Sequence, residues 1–263
     1  MFSVLFLFVA LTSRLHEVTA LLSHGVLFPL YIFPDLVSGD NCAAWTPVFN
    51  AITANPTLPF LFVVNPANGP GAANTQPDPV YQQCIPTLKS NANARVIGYV
   101  ATGQGTRNSA DVTADIATYA QWGAAYRPTG IFFDETKATT QFVSLYQSYA
   151  SAVHSSALGS SAFIIFNPGV TPTPEFYTFA DLIVTREDFY SSFSVSQLAI
   201  NSTAPAIKQA VLLHDGPTTT PVSLVDQLIG QLGIGYLFIT NAEYTSIPSD
   251  WDNFVADVSA AQS

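Results

Sequence analysis

The sequence predicts an α/β protein folded as one (β/α)8 TIM barrel, and three observations carry that expectation. Eight short apolar runs rich in Val, Ile and Phe recur along the chain. Each is continuous rather than alternating, the pattern of a strand buried on both faces in a parallel sheet. Helical or loop stretches separate them, and the 263 residues suit the ordinary length of such a barrel. A doubly wound open sheet is the competing architecture, but no Gly-rich first turn feeds a helix. No composition break or solenoid-spaced repeat divides the chain, so a single domain over residues 21–263 is expected.

The elements follow in order. The first strand is predicted at Gly25–Phe33, followed by a helix over Ala43–Ala54. The second, Phe60–Val64, precedes Val80–Leu88, where Pro86 interrupts a helical pattern. Arg95–Ala101 is the third strand, with a helix over Val112–Tyr126, and Gly130–Phe133 is the fourth, with a helix over Gln141–Ser155. After the fifth and sixth strands, Ala162–Phe166 and Asp181–Thr185, the connections have room for single turns. Gln209–Leu213 is followed by a helix over Val222–Leu232, and Ile234–Thr240 by the closing helix Trp251–Ala261.

Ahead of the first strand, Val4–Leu11 is a short apolar run and Val18–Ala20 offers small residues to a signal peptidase. The run is too short to span a bilayer, so residues 1–20 read as a secretory signal, although Met1–Ser3 lacks a Lys or Arg; a buried first helix is the alternative. Eighteen acidic residues against eight basic ones give a net charge of −10, which argues against nucleic acid or an anionic membrane as partner. Cys42 and Cys84 suit a secreted protein with one disulfide, two buried thiols being the other reading. Asn201-Ser202-Thr203 is an N-glycosylation sequon. No metal-type Cys/His cluster, Walker loop or dinucleotide fingerprint occurs, so a secreted or wall-associated monomer with no cofactor and no metal is expected.

In a barrel of this kind the chemistry gathers at the C-terminal strand ends. Polar residues stand there after strand upon strand: Asn65, Thr102, Asp134 with Glu135, Asn167, Glu187, His214 with Asp215, and Asn241. Such a rim of amides, carboxylates and an imidazole suits a carbohydrate, and Tyr31, Tyr99 and Trp45 offer surfaces for sugar rings. Adjacent residues on a strand point to opposite sides, so Asp134 and Glu135 face the mouth together only if the strand has ended. Glu187, two strands further round, lies across the same mouth. Two carboxylates flanking a bond are what glycoside hydrolysis needs, one handing a proton to the leaving oxygen and one attacking carbon or activating water. The plainer alternative has Asp134 capping the fourth helix or pairing with Lys137. Asn65 and Asn167 each precede a Pro in turn-forming sequences, yet an amide at each strand end is placed to hold a hydroxyl.

The stretches GVLFPLYIFP, NPANGPG, VIGYVATGQGTR, GIFFDE, FNPG, VTRED, LLHD and GYLFITN, in that order from Gly25 to about Trp251, resemble the spherulin-four family, which includes glycoside hydrolase family 135. The resemblance implies a (β/α)8 barrel and a secreted or surface-attached fungal enzyme, an endo-acting hydrolase of galactosamine-containing polysaccharide. It places the family's important acids on Asp134, Glu135 and Glu187. Gln104 stands where many members carry an aromatic residue, and Asn241 where an Asp is frequent.

The expected function is therefore an endo-glycosidase, with Glu187 as general acid/base, Asp134 as nucleophile and Glu135 orienting substrate; the first two roles are exchangeable. Substrate contacts are expected from Asn65, Tyr31, Tyr99, Thr102, Asn167, His214 and Asn241. Carboxylates about 5–5.5 Å apart would give retention of configuration, and about 6.5–9.5 Å inversion. A non-catalytic polysaccharide-binding or coat protein on the same barrel is the competing reading.

Overall fold

A computed structural model describes residues 24–262 except 38 and 40. The expected secretory signal lies outside the described residues. Eight parallel strands close into a barrel in sequence order: β1 (Gly25–Leu30), β2 (Phe60–Val64), β3 (Ala94–Ala101), β4 (Gly130–Asp134), β5 (Phe163–Phe166), β6 (Leu182–Phe189), β7 (Gln209–His214) and β8 (Tyr236–Ile239). Closure comes from β1 pairing with β8 through Gly25 opposite Tyr236 and Val26 opposite Leu237. The competing open sheet is thereby excluded.

The outer layer holds α1 (Thr46–Ala54), α2 (Pro79–Lys89), α3 (Ser109–Ala120), α4 (Val143–Ser155), α5 (Val222–Val225) and α6 (Trp251–Ala260). Between β5 and β6 there is a 3-10 turn, Pro174–Thr178, and between β6 and β7 three more, matching the short connections expected. Aromatic rings join the layers. Trp251 and Phe254 of α6 pack on Phe28 and Phe238, and Tyr149 of α4 lies 5.9 Å from Phe133. On β3, Gly98 is required by close approach, because a Cβ there would meet the Tyr119 ring of α3 at 2.9 Å.

Several elements differ in extent or form from those predicted. α2 runs unbroken through Pro86, whose interior position costs about 3 kcal/mol. Burial of Tyr81, Ile85 and Leu88 offsets that cost, as does the Cys42–Cys84 disulfide, worth about 4 kcal/mol in the chain-entropy account. α3 starts three residues early, because the Asn108 side chain accepts the Ala110 N–H as an N-cap. The predicted helix Val222–Leu232 begins as α5 and continues as a π-helical segment, Asp226–Gln231.

β6 matters most for the site. It extends four residues beyond its predicted end at Thr185, through a register shift between Val184 and Arg186. The buried Thr185 hydroxyl donates to Gln209 Oε1 at 2.9 Å, which satisfies a polar group in the sheet interior. Bulges of this kind bend a strand and re-aim its side chains. Here the bulge carries Glu187 on the strand itself rather than in the loop beyond it.

Candidate active site

Asp134 ends β4, one residue past Phe133, whose ring faces the helix layer on Tyr149. Alternation therefore turns Asp134 inward, to the side on which Phe132 stacks with Tyr99. The Tyr99 hydroxyl donates to Asp134 Oδ2 at 2.8 Å, and Asn167 Nδ2 donates to Asp134 Oδ1 at 2.7 Å. The same Asn167 nitrogen donates to Glu187 Oε2. One amide thus holds both carboxylates, and the two oxygens it serves lie within about 5 Å of each other, each a hydrogen-bond length from one nitrogen.

The FNPG sequence explains how the amide is aimed. Asn167 is only 5% exposed, and its Oδ1 accepts the Gly169 N–H at 3.1 Å across Pro168. That bond fixes which end of the amide is oxygen and turns the NH2 toward the acids. Gly169 has φ 63 and sits against Glu187, where its backbone oxygen accepts the Glu187 N–H at 3.3 Å. The turn therefore positions Asn167 and Glu187 together. Asn167 holds the acids rather than a sugar hydroxyl.

A wall of tyrosines surrounds the pair. Tyr31 stands edge-on to Tyr99 at 5.6 Å and to Tyr244 at 5.9 Å. Burial, and after it the charges of Asp134 and Glu187, push the Tyr31 hydroxyl well above its ordinary value, so it is a donor at any working pH. Tyr99 and Tyr244 are pushed up in the same way, burial first. Asp134 is pushed up to about 6, first by burial and then by the charge of Glu187, while donation from Tyr99 and Asn167 acts in the opposite direction.

Glu135 departs from its neighbour. Its backbone is left-handed at φ 52, its side chain is exposed, and its Oε2 accepts the Gly103 N–H at 3.1 Å. The two adjacent acids therefore diverge, one into the mouth and one onto the β3–α3 loop. Asp215 repeats the arrangement after β7, left-handed at φ 51, with His214 Nδ1 at 2.6 Å from its Oδ2.

The remaining predicted site residues divide. His214 lies in the mouth, its ring 4.5 Å from Phe189 and 6.2 Å from Tyr244. Thr102 is 1% exposed, and its hydroxyl donates to the backbone oxygens of Asp134 and Glu135, so it holds the β4 end and reaches no substrate. Asn65 accepts the Gly69 N–H and Asn241 the Ser249 N–H, both at 2.8 Å, so each ties down its own loop. Trp45 is fully buried with its indole N–H on Ile32 O, which removes it as a sugar surface. Asp134 neither caps α4, whose N-cap is Phe142, nor pairs with Lys137.

Phe189 and Tyr244 were not foreseen. Phe189 is 54% exposed and stands two residues beyond Glu187 on β6, hence on the same face of the strand. Its signal in the sequence was that spacing, usable only once β6 is known to continue. Among the described residues the one cluster with metal-ligand spacing is Asp35, Cys42 and Cys84, whose sulfurs are spent in the disulfide. No helix among the described residues is long and apolar enough to cross a membrane.

Comparison with known proteins agrees with the barrel fold. Spherulin-4 of Physarum polycephalum is 28% identical over 226 residues, covering 82% of this chain and 63% of that protein, so the chain spans just under two thirds of that relative. The crystal structure of Aspergillus clavatus Sph3 in complex with GalNAc superposes with a TM-score of 0.78 at 29% identity, covering 90% of this chain and 98% of that one. The tri-modular endo-beta-1,4-glucanase B of Bacillus halodurans, 11% identical with a TM-score of 0.52 over 93% of this chain and 61% of that one, shares the barrel alone. The model of the spherulation-specific family 4, Spherulin4, matches residues 25–258, and the chain belongs to that family.

Proposed function

We propose that this protein is a secreted, endo-acting glycoside hydrolase that cleaves a galactosamine-containing wall or exopolysaccharide polymer with the Asp134–Glu187 pair. The observation that carries the proposal is the single Asn167 nitrogen bonded to both carboxylates, which keeps the two oxygens it serves within about 5 Å and so supports double displacement over inversion. GalNAc bound to the relative Sph3 supports an amino sugar as substrate. The disulfide and the exposed sequon at Asn201 support secretion.

Asp134, pushed up to about 6, is suited to proton donation near neutral pH, which favours the exchanged assignment of roles. Protonated Asp134 delivers its proton to the glycosidic oxygen as the bond to the anomeric carbon breaks. The Glu187 carboxylate attacks that carbon and forms a glycosyl ester. Asp134, now ionised, takes a proton from water, whose oxygen displaces Glu187 and releases the sugar. Asn167 steadies the negative oxygens at both stages, and Glu135 supports the pair through the β3–α3 loop.

The test is reducing-end release from deacetylated and N-acetylated galactosamine polymers. Wild type releases ends, and Asp134→Asn and Glu187→Gln each lose about a thousandfold or more in turnover. Binding of polymer without release by the wild type would favour the non-catalytic binding protein instead.

A further inference from the structure

On the opposite, N-terminal side of the barrel, a cavity of about 410 Å3 is lined by Lys89, Arg95 and Arg127, with Thr129 and Ser161 beside them. Three of the eight Lys and Arg residues in a chain of net charge −10 converge there. None of the three has a carboxylate within ion-pair distance among the described residues. Arg95 lies 5.9 Å over the Phe163 ring, and that is its sole described side-chain contact. Asp181 feels its charge from a distance, but the Asp181 carboxylate is engaged by the Ile164 N–H at 2.8 Å.

Structural duties account for only some of the donors. Lys89 Nζ caps the Ala124 and Arg127 carbonyls at 3.0 and 2.6 Å. Arg127 uses Nε on Trp122 O and Nη1 on Ala157 O. Those contacts leave the Arg127 Nη2, the third Lys89 proton and the whole Arg95 fork for a ligand. The cations also repel one another, since the Arg127 charge adds to burial in lowering Lys89. An anion between them would relieve that repulsion and accept the spare donors.

We propose that this cavity binds a tetrahedral oxyanion, either free inorganic phosphate or the phosphate of a sugar. The volume falls in the lower part of the range of small-ligand sites and leaves room for a sugar ring. The site is distant from the mouth and independent of the proposed hydrolysis. Occupancy would tie the α2 end, the Trp122–Thr129 turn and the α4–β5 loop into one unit, stabilising the floor by ligand linkage.

The experiment titrates the full chain with inorganic phosphate, and separately with a hexose 6-phosphate, at constant ionic strength, reading melting temperature and heat of binding. A saturable rise with either probe is expected. Arg95→Gln, which removes no described hydrogen bond, should weaken it about tenfold. Ser161→Asp, at an exposed position, should weaken it comparably by placing a carboxylate at the cavity. Tighter binding of the hexose phosphate assigns the ligand to a sugar, and equal or tighter binding of inorganic phosphate assigns it to the free ion. No saturable response to either probe, or equal affinity in wild type and both variants, overturns the proposal.

Discussion

At the mouth of the barrel Asp134, Glu135, Glu187, Asp188 and Asp215 stand without an ion pair to Lys or Arg among the described residues, while at the floor Lys89, Arg95 and Arg127 stand without a carboxylate. The two rims solve the cost of uncompensated charge differently. At the mouth, the half-buried Asp134 and Glu187 are held by neutral donors, the Tyr99 hydroxyl and the Asn167 amide, and the exposed Glu135 by the Gly103 N–H. At the floor, Lys89 and Arg127 are spread over backbone carbonyls that close the loops. Neutral donors leave a carboxylate free to gain and lose a proton, whereas a Lys or Arg partner would hold it ionised. The mouth therefore suits the proposed proton transfer, while the cations of the floor hold loops and suit the proposed anion.

Removing the shared donor should break the contrast most. Asn167→Ala frees both acids from their common tether and should lower turnover about a hundredfold, measured as reducing-end release, with the substrate still bound. Asn167→Asp should do no better, since a third carboxylate replaces the bridging donor.

The next effect is on stability. Because the folded Asp134 sits at about 6 against an ordinary 3.8, the folded protein binds that proton more tightly than the unfolded chain. Stability is full below about pH 4 and falls as pH rises to about 6. Asp134→Asn keeps the Asn167 and Tyr99 contacts in neutral form and removes this slope. It should gain about 1–3 kcal/mol at pH 7 and nothing at pH 4, read from denaturant unfolding at both pH values. A variant less stable than wild type at pH 7 would mean that the mouth does not store this cost.

The smallest effect concerns the rim. Phe189→Ala removes an exposed ring beside Glu187 and should raise KM about fivefold with kcat nearly unchanged, the signature of lost sugar stacking. Equal losses in kcat and KM terms would instead place Phe189 in support of Glu187.

Much of this barrel was legible because burial on both faces leaves an unmistakable run: Phe60–Val64 coincides with its predicted strand residue for residue. Strand ends were less legible where the chemistry lies. Arg186, Glu187 and Asp188 read as loop because they are polar, yet a bulge keeps them paired with β7. The placement of Asp134 and Glu187 across one mouth, with Glu135 turned aside, was legible from their positions at the strand ends. The roles of the amides were not, because Asn65, Asn167 and Asn241 look alike at strand ends. Only the fold reveals that Asn167 turns its NH2 onto two carboxylates while the others tie loops. Trp45 and Thr102 misled for the same reason, since burial depends on neighbours distant in sequence.

In the proposed mechanism Asp134 and Glu187 work across one glycosidic bond while Asn167 holds them close together. The configuration of the first-formed product, followed by proton NMR before it mutarotates, tests this most directly. Retention of the substrate's anomeric configuration is predicted, and inversion would contradict a pair this close.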